Sequence, residues 1–210
     1  LSTSLPAALT GWCGMDAFIH AFEASTNKDA HASAGGYGHQ AIKLIVDALP
    51  AAVANGDDLV ARQNMLLGSV WAGAAIDQVG TAVAHHISHA MATLAPVHHG
   101  HATAIGFEVT LGWIVEGIEG DDVAIEKFQS MADTLGVRDY RDVPQFVSDF
   151  MDACQIDRRL PQSFAGFDKH ALVEQLLADH TQSMRVATSR EVTQEAISEI
   201  VDRLAALPIQ

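Results

Sequence analysis

Asp16, His20, His85 and His99 have the side-chain types and the clustering expected of ligands for one divalent metal ion. One anionic oxygen with three imidazole nitrogens suits Fe(II), Zn(II) or Ni(II). Asp16 and His20 stand four apart in GMDAFIHAFEA, so on a helix they share a face one turn apart. His85 and His89 repeat that spacing in AHHISHAMATLAPVHHGH, and spacing alone leaves both as ligand candidates. His99 follows Pro96 and precedes Gly100, which places it in a fixed turn with room beside it. Six of the eleven histidines fall between positions 85 and 101, so the chemistry is concentrated there. His86 is turned about 100° from His85 on a helix and is expected to face away. His98 and His101 read as solvated loop residues, with support of a ligand from behind as the alternative for one of them, and His31, His39, His170 and His180 as surface or capping residues. Glu23 lies three residues beyond His20 and could accept the second N–H of a ligating imidazole. A plain surface carboxylate is the alternative. Cys13, one turn before Asp16, reads as a small buried residue, with a place lining the site as the alternative.

Helices must carry these residues. Pro6 precedes a helical pattern over about Ala8 to Ser25. A second runs from Ala34 or later to Leu49, stopped by Pro50, with the glycines of AGGYG blurring its start. A third covers about Asp57 to Asp77. Gly80 opens the histidine segment, helical to about Leu94 and broken by Pro96. After a VHHGH loop, a helix over Ala102 to Glu116 is predicted, with Gly117 and Gly120 marking a joint. Four amphipathic helices follow near 122–135, 143–155, 168–182 and 193–207, with Asp142 and Thr193 as N-terminal caps. The pattern predicts an all-α fold in a single domain over 1–210. Its metal core spans about 8–117 and its scaffold helices about 121–210.

Composition agrees with packed helices: 49% of residues are apolar and only 6% aromatic. The net charge of −14 argues against nucleic acid, which needs basic clusters. No apolar run is long enough for a membrane span, because Asp77 interrupts SVWAGAAIDQVGTAVA. Cys13 and Cys154 form no zinc motif and no disulfide framework, which suits a reducing, cytoplasmic setting. The first residue is Leu1 rather than methionine, as expected for part of something longer.

LSTSLPAALTGWCGMDAFIHAFEAS resembles the segment that enters the metal domain of the iron-containing (type III) alcohol dehydrogenases. That family reads LP-x-x-L-x-x-x-x-G-x-DA-x-x-HA-x-E there. GTAVAHHISHAMATLAPVHHGHATAI resembles the family's H-x-x-x-H, followed ten residues later by HG and then by A-I. Those positions here are His85, His89, His99, Gly100, Ala104 and Ile105. The likeness is close over about residues 5–105 and diffuse afterwards. It departs at Ala90, at GFEVT and at Gly35, where members often carry proline, Leu-Pro and aspartate respectively. Those differences bear on the substrate pocket and the subfamily. Related cyclases and glycerol-type dehydrogenases resemble a pattern with fewer histidine ligands.

The resemblance implies a helical, bundle-like metal-binding domain of the dehydroquinate synthase-like type. It makes Asp16, His20, His85 and His99 the ligands, and His89 a catalytic neighbour rather than a ligand. It implies Fe2+ as the metal, with Zn2+ or Ni2+ as alternatives, and NAD or NADP held by an α/β domain that these residues lack. A small alcohol or aldehyde would be the substrate, and a homo-oligomer, a dimer, the assembly. On this reading the chain alone binds metal without turnover. A helical metallohydrolase and a non-catalytic metal-binding scaffold are the competing functions.

Overall fold

The computed structural model describes residues 2–179 and 182–210. The reading of His180 as a surface or capping residue falls outside them. Among the described residues the fold is helical, with a single isolated β-bridge between Leu160 and Ile209. Five helices form the first half: α1 (Ala7–Thr26), α2 (Ala32–Ala54), α3 (Leu59–Val79), α4 (Val83–Leu94) and α5 (His99–Gly117). The second half carries α6 (Asp122–Leu135), α7 (Val143–Ala153), α8 (Lys169–Leu177), α9 (Gln182–Ala187) and α10 (Gln194–Ala205). None of these helices is long and apolar enough to cross a membrane.

The first helix runs through the middle. From Gly14 to Thr26 every residue of α1 is buried except Asp16 and His20. A helix that is apolar nearly all round must be covered on every side. Here α2 and α3 pack on it together, and α5 packs against it with α4 alongside. Only the Asp16–His20 edge is left open. At its end, the Ser25 and Thr26 hydroxyls donate to the carbonyls of Ala21 and Phe22, satisfying polar groups that water cannot reach. At its start, buried Arg62 of α3 donates to the Leu5 carbonyl and the Thr10 hydroxyl, and so pins the segment that leads into α1.

One core joins the two halves. Phe22 meets Phe107 of α5 edge-on at 5.0 Å and Phe128 of α6 at 5.8 Å, while Phe18 meets Phe150 of α7 at 5.0 Å. The later helices therefore hold α1 and α5 in place rather than decorate them.

Several predicted boundaries move. Pro50 does not end α2, which continues to Ala54. Proline removes one hydrogen bond, but Ala52 and Val53 gain full burial, and packing outweighs that loss. The AGGYG glycines lie inside the same helix. VHHGH is not a free loop, because the Ala102 amide bonds the His98 carbonyl and closes a helical turn around His99, Gly100 and His101. Asp142 caps nothing with its side chain and belongs to a 3-10 turn; Thr193 does cap, accepting from the Ala196 amide at 3.2 Å. The helix of 143–155 stops at Ala153, because Gln155 adopts a left-handed backbone with φ 56°. The helix of 168–182 stops at Leu177, where Ala178 turns extended.

Removing the Phe22 ring should test the shared core. Phe22→Ala is expected to lower the free energy of unfolding by about 3–5 kcal/mol, the usual cost of a buried aromatic cavity. Urea denaturation followed by circular dichroism measures it, and a loss under about 1 kcal/mol would contradict the packing described.

Candidate metal centre

Three helices bring the four residues together. Asp16 and His20 come from the open edge of α1, His85 from the first turn of α4, and His99 from the first residue of α5. Each offers one donor atom, and all four donors lie within 4.8 Å of one another. Asp16 Oδ1 stands 3.6 Å from His85 Nε2 and 3.4 Å from His99 Nε2; Asp16 Oδ2 stands 3.7 Å from His20 Nδ1. Donors bound to one tetrahedral ion at about 2.1 Å sit about 3.4 Å from each other. The His20 and His85 rings stack at 4.4 Å.

Two of these donor atoms, Asp16 Oδ1 and His85 Nε2, are buried with no hydrogen-bond partner. Buried polar atoms without partners are costly, and a carboxylate oxygen facing several imidazole nitrogens is a donor set that fits a cation. The residues present therefore suit a divalent ion.

Glu23 explains why His85 points its Nε2 inward. The carboxylate is 5% exposed. Its Oε2 accepts from His85 Nδ1 at 2.7 Å and from the Ala82 amide at 2.8 Å, and Oε1 accepts from the Ala84 amide at 2.8 Å. Engaging Nδ1 leaves Nε2 as the nitrogen that faces Asp16. The same carboxylate satisfies amides at the start of α4 that no helix partner can reach. Of the two readings of Glu23, the imidazole-holding one describes its place.

Close backbone approach sets His99. A Cβ on Gly100 would collide with the Trp12 carbonyl oxygen and lie 3.3 Å from Asp16 Cβ, so only glycine lets α5 begin this near α1. Gly106 does the same one and a half turns on, where a Cβ would fall 2.7 Å from the Ala84 carbonyl oxygen of α4. Trp12, one turn before Asp16, stacks on His101 at 5.0 Å and leans on His98 at 5.0 Å.

The other predicted residues divide. His89 is exposed and lies outside the four-donor group, with its ring 5.6 Å from that of His99. His86 is fully buried and also outside the group. His101 is not solvated: it is buried, and its Nε2–H donates to the Asp157 carbonyl at 2.6 Å. His98 is exposed. Cys13 is exposed rather than buried, because its side of α1 borders a cleft with Met65 and Leu66 of α3. His31 and His170 are exposed, and His39 contacts the hydroxyls of Ser130 and Thr134. Ser88 was not foreseen, although it lies three residues beyond His85 on the same helix. Its hydroxyl meets His99 Nδ1 at 3.0 Å.

Without metal the cluster concentrates its positive charge on one ring. Burial works against charge on His85, but the Glu23 and Asp16 carboxylates outweigh it and push its pKa up to about 9. Burial and the charge on His85 push His20 down to about 4. Burial also depresses His99 and His89, helped by neighbouring imidazoles. Burial raises Asp16, but contact with His85 and the charges of His20, His85 and His99 hold its carboxyl below the usual value.

Residues 10–205 match the family described as "Fe-containing alcohol dehydrogenase family, C-terminal". This chain belongs to the iron-containing alcohol dehydrogenase family. An NAD-dependent methanol dehydrogenase of Bacillus methanolicus is 39% identical over 105 residues, covering 50% of this chain and 28% of that protein. A 1,3-propanediol dehydrogenase of Klebsiella pneumoniae is 42% identical over 100 residues, covering 48% of this chain and 26% of that protein. The crystal structure of a 1,3-propanediol oxidoreductase superposes with a TM-score of 0.81 at 26% identity, over 96% of this chain and 53% of that one. The match thus spans about half the length of the solved relative and under a third of the two curated ones.

The two shifted imidazoles give the metal-free chain a stability maximum. His85 is raised from 6.5 to about 9, so its contribution is whole below pH 6.5 and is lost as pH climbs through 9. His20 is lowered from 6.5 to about 4, so its contribution is whole above pH 6.5 and is lost as pH falls toward 4. Melting temperatures of the metal-free chain should peak near pH 6.5, and His85→Gln should flatten the alkaline side. A wild-type profile already flat between pH 6.5 and 9 would refute this charge distribution.

Proposed function

We propose that this chain is the metal-binding part of an NAD(P)-dependent alcohol dehydrogenase, which interconverts a small alcohol with its aldehyde or ketone. The observation that carries the metal reading is the pair of buried, unpartnered donors, Asp16 Oδ1 and His85 Nε2, with His20 and His99 converging on them. Membership of the iron-containing alcohol dehydrogenase family supports the reaction class.

Asp16, His20, His85 and His99 would hold the ion, Fe2+ by preference, with Zn2+ or Ni2+ chemically adequate. When bound, such an ion acts as a Lewis acid on the oxygen of the alcohol or carbonyl. Glu23 keeps the His85 ring aimed, and the Asp16 carboxylate supplies the one anionic ligand. His89 lies beside His99 with its outer side open to solvent. Partial burial with the neighbouring imidazoles lowers its pKa, so near neutral pH the ring is neutral and can accept a proton. It would carry the hydroxyl proton of the alcohol to water. The hydride would pass to a nicotinamide held by residues outside this chain. The AGGYG glycines, locked in α2, form no phosphate cradle.

We read residues 1–210 as one helical domain whose ligands all come from the first half and whose second half is scaffold. The exposed apolar row Leu59, Val60, Leu66, Leu67 and Val70 along α3 supports a homo-oligomer, taken as a dimer. Two free cysteines suit a reducing cytoplasm.

Metal content separates the ligands from their neighbours. His99→Ala should lose most bound Fe2+ or Zn2+ by elemental analysis, and undiminished metal would overturn the ligand set. His89→Ala in the full-length enzyme should keep its metal while alcohol oxidation near neutral pH falls about 10²–10⁴-fold. An unchanged rate and pH profile would remove the relay. Phosphatase or amidase activity in the isolated chain would favour the hydrolase reading instead.

A further inference from the structure

The two imidazoles that face Asp16 from α4 and α5 are held very differently. His85 is 2% exposed and gripped by a carboxylate, whereas His99 is 46% exposed and its Nδ1 meets the hydroxyl of Ser88. Ser88 is fully buried, and its hydroxyl touches two atoms of the same residue: His99 Nδ1 at 3.0 Å and the His99 carbonyl oxygen at 3.2 Å. A serine hydroxyl has one proton to give, and a carbonyl oxygen can only accept. With that proton on the carbonyl, the oxygen is left to accept from Nδ1. The Thr103 hydroxyl donates to the same carbonyl at 2.9 Å, so the main chain of this turn is fixed from two sides.

We propose that Ser88 is a positioning residue: it holds His99 with the proton on Nδ1 and the Nε2 lone pair toward Asp16. An imidazole in water favours the opposite tautomer, with its proton on Nε2. Such a proton would point at Asp16 Oδ1, 3.4 Å away, and would have to leave before a metal could bind. Ser88 therefore prepares the exposed ligand in advance, in the way that Glu23 prepares the buried one. The consequence for affinity rests on the metal reading above; the tautomer does not.

Nitrogen-15 NMR of the metal-free chain at pH 8 reads the tautomer directly, with His99→Gln identifying the signals. Wild type should show His99 protonated on Nδ1, and Ser88→Ala should move that proton toward Nε2. Ser88→Ala should also bind Zn2+ about 10–100-fold more weakly in a chelator competition, the range found when such supporting partners are lost. A wild-type His99 protonated on Nε2 would overturn the proposal, even if the variant failed to fold. So would a folded Ser88→Ala whose tautomer and Zn2+ affinity match wild type. If wild type bound no Zn2+, the ligand reading would fall, while the NMR result would still decide the role of Ser88.

Discussion

A carboxylate in an apolar interior must find donors for both of its oxygens, and Glu23 finds them all in one place. Its partners are two amides at the start of α4 and the Nδ1–H of His85. That requirement fixes more than one side chain. It sets where α4 may begin relative to α1, and hence which turn of α4 faces Asp16. Gly80, with φ 73°, ends α3 and lets the chain reverse into this position. The end of α1 is tied to the same reversal, because the Asn27 carboxamide donates to the Val79 carbonyl at 3.3 Å. Moving Glu23 by one residue would swing it about 100° around α1 and leave all three donors without a partner.

The site is built by contrast between its neighbours. From Gly14 to Thr26, α1 is buried except at Asp16 and His20, so the polar edge stands out against an apolar stretch of helix. α5 approaches that edge through glycine, and Trp12 closes over its first turn by stacking on His101. The aromatic rings of α6 and α7 then brace α1 from behind, while Phe107 of α5 packs on Phe22.

Much of this was legible in the sequence, for identifiable reasons. The i, i+4 pair Asp16–His20 and the helix that carries it follow from periodicity, which depends only on neighbours in the chain. Thr193 capped as expected for the same reason. The errors arose where distant packing decides. Pro50 reads as a stop, but burial of Ala52 and Val53 carries α2 past it. His101 reads as a loop residue, yet a carbonyl 56 positions later accepts its hydrogen bond. Ser88 carried no signal of its own, since a serine in a helix gives no sign of which partner lies opposite. His86 looked equal to His85 in type and differs only by its angle on the helix, which the sequence does supply.

The hydrogen bond from His101 to the Asp157 carbonyl also has a meaning in time. A ribosome delivers the chain from its N-terminus, and early segments begin to fold before later ones exist. All four donor residues have been made once His99 is complete. The turn that bears His99 nevertheless lacks one of its tethers until Asp157 emerges. Phe128 and Phe150, which brace α1, arrive in the same interval. Until then the four donor residues form a loose, partly assembled set. The tether on the His99 turn thus belongs to the later part of synthesis, when the second half of the chain has closed over the first.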